Sequence, residues 1–482
     1  MHIFKKILSY FGRRHFIEPG GYIEIWNIAY PLVIMSASHS IMQFVDRKFL
    51  AMNSTEDVAA ALPAGILYFT MFCFFMVTTN FTSALVAQFF GARDNNSCVR
   101  ASWTGFYFAI MAAVLIVFAM PSIGILFIQM GGHSPKMISL ENEYFLSLVP
   151  SGAFVCMSAA FFAFFSGRGK TAYVATVNTI ACVLNIFLDY IFIFGKLGLP
   201  AMGIVGAGLA TSLATMFAFI CILCLFLTVD QQQFETRKHR EFRWDYLKKL
   251  FGFGTPAGLQ VLFDVGAFTL VTFMIGHVSK EALATTTIAL SINLLSFMPL
   301  LGFSDATSII TGQFIGRNKH SIATKCAYRA WRMAAVYMCF AGLVYLLLPR
   351  PLIGFFSPNQ NNGIDFDEIL RSGSVILALA ALFNFFDATK FIFMGALRGA
   401  GDTKAVMIIS SLCAWGVMVP GTVTMIFVFN AGVAQIWMFL TFYILLESLI
   451  IFWRFKSGKW QKINMIDRNV SEIVEELPEE LI

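Results

Sequence analysis

The sequence predicts an all-α integral membrane protein of twelve transmembrane helices, built as two pseudo-symmetric six-helix lobes. Three observations predict it. First, 58% of the 482 residues are hydrophobic and 13% are charged, with a mean hydropathy of +0.72. That balance does not suit one water-soluble core and does suit a bundle of membrane helices. Second, uncharged runs such as 58–92, 101–135 and 197–229 recur along the chain. Each exceeds the ~20 apolar residues that cross a bilayer as a helix. Third, the stretch from Pro31 to Ala92 returns from Pro256 to Arg317 at a gap-free offset of 225 residues. Only 11 of 62 positions are identical, but they include Pro31 with Pro256, Ser83 with Ser308, Gln88 with Gln313 and Gly91 with Gly316. A duplicated half follows.

Taken in order, residues 1–22 form a cytoplasmic interfacial segment. They carry Lys5, Lys6, Arg13 and Arg14 without the apolar core of a cleavable signal, so an amphipathic surface helix is expected. The N-lobe, 23–228, holds spans at 23–51, 58–89, 101–129, 143–165, 172–195 and 203–228. A cytoplasmic linker, 229–249, follows with three consecutive glutamines and six basic residues. The C-lobe, 250–455, holds spans at 251–277, 282–314, 330–349, 369–397, 405–429 and 432–454. The loop around 350–367 is the main external connection, and 456–482 is a charged cytoplasmic tail. Counting Arg332, Arg371 and Arg454, at the ends of their spans, with the adjoining connections, 26 of the 34 Lys and Arg fall in the termini and even-numbered connections and 5 in the odd ones; Arg47, Lys48 and Lys390 lie deeper within spans. That bias places both termini in the cytoplasm. The halves then start on the same side, related by an axis along the membrane normal, an arrangement found in transporters. The expected location is the plasma (inner) membrane.

Carboxylates inside spans are the candidates for chemistry, because a charge at mid-membrane costs about 2.5–3.5 kcal/mol and normally faces a wet cavity or a partner. Such residues are Asp46, Asp189, Asp264, Asp305 and Asp387, with Glu447 in the last span. Asn185 and Asp189 are four apart and share a helix face. That pair has oxygen ligands for a proton or a sodium ion, or serves as an interhelical hydrogen bond. Asp46 precedes Arg47 and Lys48; adjacent residues do not share a face, so Asp46 can point inward while the cations snorkel outward, although a local salt bridge is the plainer alternative. Asp264 has His39 as its repeat partner, a titratable group at both places, while a lone histidine is more often simply packed. Asp387 and Lys390 are three apart and can pair on one face. Asp305 matches Asn80 and reads as structural. Cys221 and Cys224 form a C-x-x-C inside a span and read as packed thiols. A weaker internal match sets Gly167, Gly169 and Thr171 on Gly399, Gly401 and Thr403 at an offset of 232, where glycine allows a tight turn.

Function classes narrow accordingly. The net charge of +6 lies in connections between spans and sets topology; it implies no nucleic acid. There is no H-E-x-x-H, no G-x-S-x-G and no histidine cluster, which argues against an enzyme and a catalytic metal. A membrane-embedded enzyme or scaffold is the outlying alternative.

Phe44-Val45-Asp46, Val86 to Ala92, Leu184 to Gly195, Gly203 to Thr211, Gly254-Thr255-Pro256, Asp387 and Gly395 to Thr403 occur in one order. With them the chain resembles the multidrug and toxic compound extrusion (MATE) family over about residues 25–455. The resemblance implies two lobes in a V with alternating access, and antiport of H+ or Na+ against organic cations or other amphipathic compounds. It implies no cofactor, an organic cation and the bilayer as partners, and a monomer. It carries the N-lobe cation site to Asp46, Asn185 and Asp189, the place for any Na+, and NorM-type acids to Asp264 and Asp387. The chain departs from the family in Arg47-Lys48 and in Lys390, whose place is often taken by a glutamine; Lys390, His39 and Arg47 are expected as modulators. The nearest alternative is a lipid-linked precursor or polysaccharide flippase of the same superfamily.

Overall fold

The computed structural model describes Phe16, residues 18–356 and residues 366–466. The amphipathic segment expected before residue 16, most of the external loop and the acidic tail beyond residue 466 lie outside the described residues. The described chain is 87% helical with no strand. Twelve helices are long and apolar enough to cross a membrane. The first six are α1 (Tyr22–Asn53), α2 (Thr55–Gly91), α3 (Asn95–Phe118), α4 (Pro135–Gly167), α5 (Thr171–Phe194) and α6 (Gly203–Thr228). The second six are α7 (Trp244–Ile275), α8 (Ala282–Gly316), α9 (His320–Leu347), α10 (Ile369–Ala400), α11 (Thr403–Phe427) and α12 (Val433–Lys456). A helix is what such runs must form, since lipid offers no partner to backbone N–H and C=O groups. The boundaries follow local chemistry. Ser54 caps α2 by accepting from the Glu56 and Asp57 amides, Asp94 caps α3, and Gly195 closes α5 at φ +65°.

The chain forms two compact units. Among the described residues, one joins those up to Val33 to Leu262–Ile315 and Lys319–Ile463; the other comprises Ile34–Val261, Gly316–Asn318 and those from Asn464. α1 and α7 therefore each contribute to both, and the changeover comes shortly after the duplicated Pro31 and Pro256. In the first-half unit Phe161, Phe164, Phe165, Phe226 and Phe234 are fully buried in one core, and the start of α7 packs there, with Phe251 edge-on to Phe108 at 5.4 Å. In the second-half unit Ile376, Leu377, Ala414 and Ile436 are at the centre of the core. The start of α1 belongs to this unit, where Trp26 lies 6.1 Å from Phe303 of α8. Large apolar side chains such as Phe118, Phe273 and Trp453 stay exposed, as lipid-facing residues do.

The two sequence offsets meet in one repeated contact. A Cβ on Gly167 of α4 would stand 2.7 Å from the Ser83 carbonyl oxygen of α2, and one on Gly399 of α10 would stand 2.1 Å from that of Ser308 of α8. Glycine is required at both because the helix backbones approach too closely for a side chain. The turns that follow also match: Gly169 has φ +79° and Gly401 φ +89°.

Candidate functional site

In the first-half unit the structure brings Asp46, Asn185 and Asp189 together. Asn185 and Asp189 lie on the buried face of α5 and are fully buried. With its amide turned so that both ends are satisfied, Asn185 donates from Nδ2 to Asp46 Oδ1 at 3.2 Å and accepts from the Thr211 backbone N–H of α6 at 3.2 Å. The Asp46 and Asp189 carboxyl groups stand in hydrogen-bond contact. Asp189 Oδ1 is buried without a hydrogen-bond partner among the described residues. Tyr144 of α4 is within electrostatic reach of both carboxyls. Two carboxyl groups so close need a proton or a cation between them, and the oxygens of Asp46, Asn185 and Asp189 are the hard donors that sodium takes. Arg47 and Lys48 are exposed, as outward-snorkelling cations are. His39 is not joined to this cluster by any observed bond; its ring nitrogen Nε2 meets Gln43 Nε2 at 3.1 Å.

The second-half unit holds a different arrangement. Spacing along the helix allows Lys390 to pair with Asp387 one turn earlier, but among the described residues its ion pair is elsewhere. Its Nζ reaches Glu447 Oε2 of α12 at 2.7 Å. The reason is the preparation of Glu447: Ser410 of α11 donates to its Oε1 at 2.7 Å, and the Tyr443 hydroxyl bonds to it as well. A flexible four-carbon stem lets the ammonium choose this fully buried carboxylate over its own helix neighbour. Asp387 and Asp264 remain within electrostatic reach of Lys390. Asp305 of α8 faces the Arg398 charge of α10. Sequence reasoning noted Glu447 as a carboxylate in a span but gave it no role, and missed Ser410 and Tyr443. The available signal was that a lysine inside a span needs an acid partner on some helix.

A third charged cluster lies outside the spans, where the linker begins. Asp230 Oδ2 accepts from Arg168 Nη1 and from Lys170 Nζ, each at 2.9 Å. The Arg168 guanidinium lies over the rings of Phe164 at 3.9 Å and Phe234 at 4.3 Å. Partial burial pushes the Asp230 carboxyl up, but the Lys170 and Arg168 cations outweigh it and hold it below the usual carboxylate range. This cluster pins the linker to the end of α4 and has the character of a structural clamp. Cys221 and Cys224 are both free thiols. Among the described residues, no three His, Cys, Asp or Glu side chains are grouped to hold a metal ion.

Comparisons with known proteins agree with this architecture. The family model described as MatE matches residues 31–191 and 256–424. The probable multidrug resistance protein NorM of Thermotoga maritima is 25% identical over 447 residues, covering 92% of this chain and 94% of its own length. Among solved structures, an outward-facing multidrug resistance MATE family transporter of the MOP superfamily superposes with a TM-score of 0.83 at 20% identity. It covers 92% of this chain and 96% of its own. A MOP superfamily transporter from Pyrococcus furiosus, described by the reversed polarity of its binding pocket, superposes with a TM-score of 0.82 at 18% identity. The match covers 91% of this chain and 96% of that one.

Proposed function

The chain belongs to the MatE family of membrane transporters, and from that premise we propose that it is a secondary active multidrug efflux protein. It exchanges inward-moving H+ or Na+ for an organic cation or another amphipathic compound by alternating access. The observation that carries this reading is the contact of Asp46 with Asn185 and Asp189. A buried carboxyl pair holds a proton or sodium ion in one state and releases it in another, so loading from outside and discharge to the cytoplasm drive the cycle. One charge crossing the membrane gains about 2.3 kcal/mol per 100 mV. The multidrug resistance names of the relatives support the substrate class. The lysine and arginine bias supports cytoplasmic termini, with lobes 23–228 and 250–455 joined by the linker 229–249. We take the working unit to be a monomer in the plasma membrane.

The test is efflux of a fluorescent organic cation from everted vesicles under a proton gradient and, separately, a sodium gradient. One gradient should drive transport, and Asp46→Asn and Asp189→Asn should each reduce it at least tenfold. Undiminished transport in both variants would sink the reading. A second reading, flipping of an anionic lipid-linked precursor, is supported by the exposed Arg47 and Lys48 beside Asp46. It predicts no organic-cation efflux under either gradient, and loss of lipid flipping in Arg47→Gln/Lys48→Gln.

A further inference from the structure

One face of α3 runs from a basic, aromatic platform into an apolar groove. Trp103, Tyr107, Ile110, Val114 and Val117 follow one another at intervals of four, three, four and three residues. That spacing puts them on a single face, and the stripe runs about 21 Å along the helix. At its first end the linker after α6 is fastened to it. The Trp103 indole N–H donates to the Thr236 carbonyl at 2.9 Å, and the Tyr107 hydroxyl donates to the Arg240 carbonyl. Arg237 Nε donates to the Leu227 carbonyl at 3.0 Å, and Thr236 is fully buried. Held this way, the Arg240 guanidinium lies over the Trp103 ring at 5.4 Å. Phe242 lies 5.9 Å from Tyr107 and meets Trp244 edge-on at 5.2 Å. Phe242 is 48% and Trp244 65% exposed. Between positions 237 and 243 stand Arg237, Lys238, Arg240 and Arg243 against one acid, Glu241. Lys238 is paired with Glu235. Arg240 and Arg243 are exposed, and among the described residues neither is seen in an ion pair.

Farther along the stripe, Ile110, Val114 and Val117 face Pro150, Phe154 and Met157 of α4 across a groove of about 300 Å³. No polar side chain lines it, and the exposure of Val114 at 51% shows that it opens outward. Platform and groove both belong to the first-half unit. Exposed aromatic rings settle at the boundary between lipid and water, which sets the platform at headgroup depth. From Tyr107 the groove then runs from about 5 Å to about 15 Å deeper, the acyl depth of one leaflet. Arginine is the side chain best shaped to hold a phosphate. A zwitterionic headgroup brings its own cation to that phosphate and an anionic one does not, so the platform favours the anionic lipid.

We propose that this stripe is a binding site for an anionic glycerophospholipid of the leaflet on the linker side, with its phosphate on Arg240 and Arg243 and one acyl chain in the groove between α3 and α4. The bound lipid ties the linker to both helices. The proposal does not rest on the antiport reading.

The experiment mixes the full-length protein in detergent with equal amounts of dioleoyl phosphatidylglycerol and dioleoyl phosphatidylcholine, and native mass spectrometry counts the lipid that stays bound. Phosphatidylglycerol should be retained in preference. Arg240→Gln/Arg243→Gln should cut its retention about 25-fold, roughly fivefold for each cation taken from beside an anionic headgroup. The bond from Tyr107 goes to the Arg240 backbone and survives that change. Arg240→Lys/Arg243→Lys should keep most of the retention. Lys404→Gln/Lys456→Gln, which removes two exposed cations from other connections on the same side, should leave it unchanged. Val114→Trp, at an exposed position, fills the groove and should lower retention about fivefold or more; Val117→Trp serves if that variant does not fold. Excess inorganic phosphate should not displace the lipid. Equal retention of the two lipids overturns the proposal, as does undiminished retention in either the arginine or the groove variant. So does an equal loss in the Lys404 and Lys456 variant, which reduces the platform to general surface charge, and so does displacement by phosphate alone. A fluorescent organic cation that loses binding in Val114→Trp while phosphatidylglycerol does not would give the groove to a transported compound and overturn the lipid assignment. No gradient enters these measurements, so a chain that moves no organic cation leaves them standing.

Discussion

Removing one partner of the Lys390–Glu447 pair should have an asymmetric cost. Breaking a buried ion pair from one side typically costs about 3–5 kcal/mol, because it strands the other charge. Solvent relieves little of that here, with Glu447 at 0% and Lys390 at 9% exposure. Lys390→Met strands the fully buried Glu447 without its ammonium partner, so the full penalty of about 3–5 kcal/mol applies. Glu447→Gln leaves Lys390 with two carboxylates still in electrostatic reach, which should cut the loss to about 1–3 kcal/mol. Replacing both by Met should come close to neutral, since an apolar pair of similar volume avoids the desolvation penalty. For a unit of this size, Lys390→Met corresponds to an apparent midpoint lower by roughly 6–20 °C. The assay is thermal unfolding of the detergent-purified protein in sodium-free buffer at one scan rate, read as a double-mutant cycle. If Lys390→Met is no worse than Glu447→Gln, or if the double variant loses the sum of the singles, Lys390 is not the cation that neutralises Glu447.

Other perturbations test other parts of the structure. Asp230→Asn should lower stability by about 1–2 kcal/mol at neutral pH, as loss of charge-assisted bonds does. The folded-state value of this carboxyl is depressed, so its contribution exists above the ordinary aspartate range near pH 4 and disappears as pH falls through the folded value. Melting curves of wild type and Asp230→Asn should therefore be well separated at pH 7 and converge near pH 3. A gap that widens in acid would contradict the observed ion pairs. Gly399→Ala puts a Cβ 2.1 Å from the Ser308 carbonyl oxygen, whereas Gly266→Ala meets nothing nearer than Trp415 at 3.7 Å. The first should cost about 1–3 kcal/mol by overpacking and the second much less, measured as the folded fraction after detergent extraction. Equal yields would argue against close packing of α8 and α10.

The twelve spans were legible because hydropathy over 20 residues is a local property, and the duplication was legible because proline and glycine landmarks stay in register. The Asn185 and Asp189 face was legible from four-residue spacing. What spacing could not supply was the partner. Asp46 and Asn185 are 139 positions apart in sequence, and only the packing of α1 on α5 brings them to 3.2 Å. Spacing offers Asp387 as a partner for Lys390 because helical neighbours are the only neighbours that periodicity reveals. A side chain long enough to reach another helix escapes that rule, and Glu447, 57 positions away, took it. The changeover of α1 and α7 between the two units had a marker, the paired prolines, but no sequence rule says which core each segment joins.

The two halves kept their packing and changed their charges. The contact of Gly167 with Ser83 is repeated by Gly399 with Ser308, and such backbone-to-backbone approaches tolerate no side chain, so drift there is selected against. The charged positions had no such constraint. At the offset of 225, Asp46 meets Val271 and Asp264 meets His39; at the offset of 232, Asp387 meets Val155 and Lys390 meets Ser158. The glycine contacts fix α2 against α4 and α8 against α10, while the charged side chains meet across α1 and α5 and across α10, α11 and α12, so the repeated packing leaves the charges free to differ. The first half places two acids in contact and, among the described residues, leaves an Asp189 oxygen buried without a hydrogen-bond partner. The second half meets its acids with a cation of its own on α10. The two halves therefore differ in whether the chain itself supplies positive charge to a buried carboxylate: Lys390 does so for Glu447, and among the described residues no lysine or arginine is seen in an ion pair with Asp46 or Asp189.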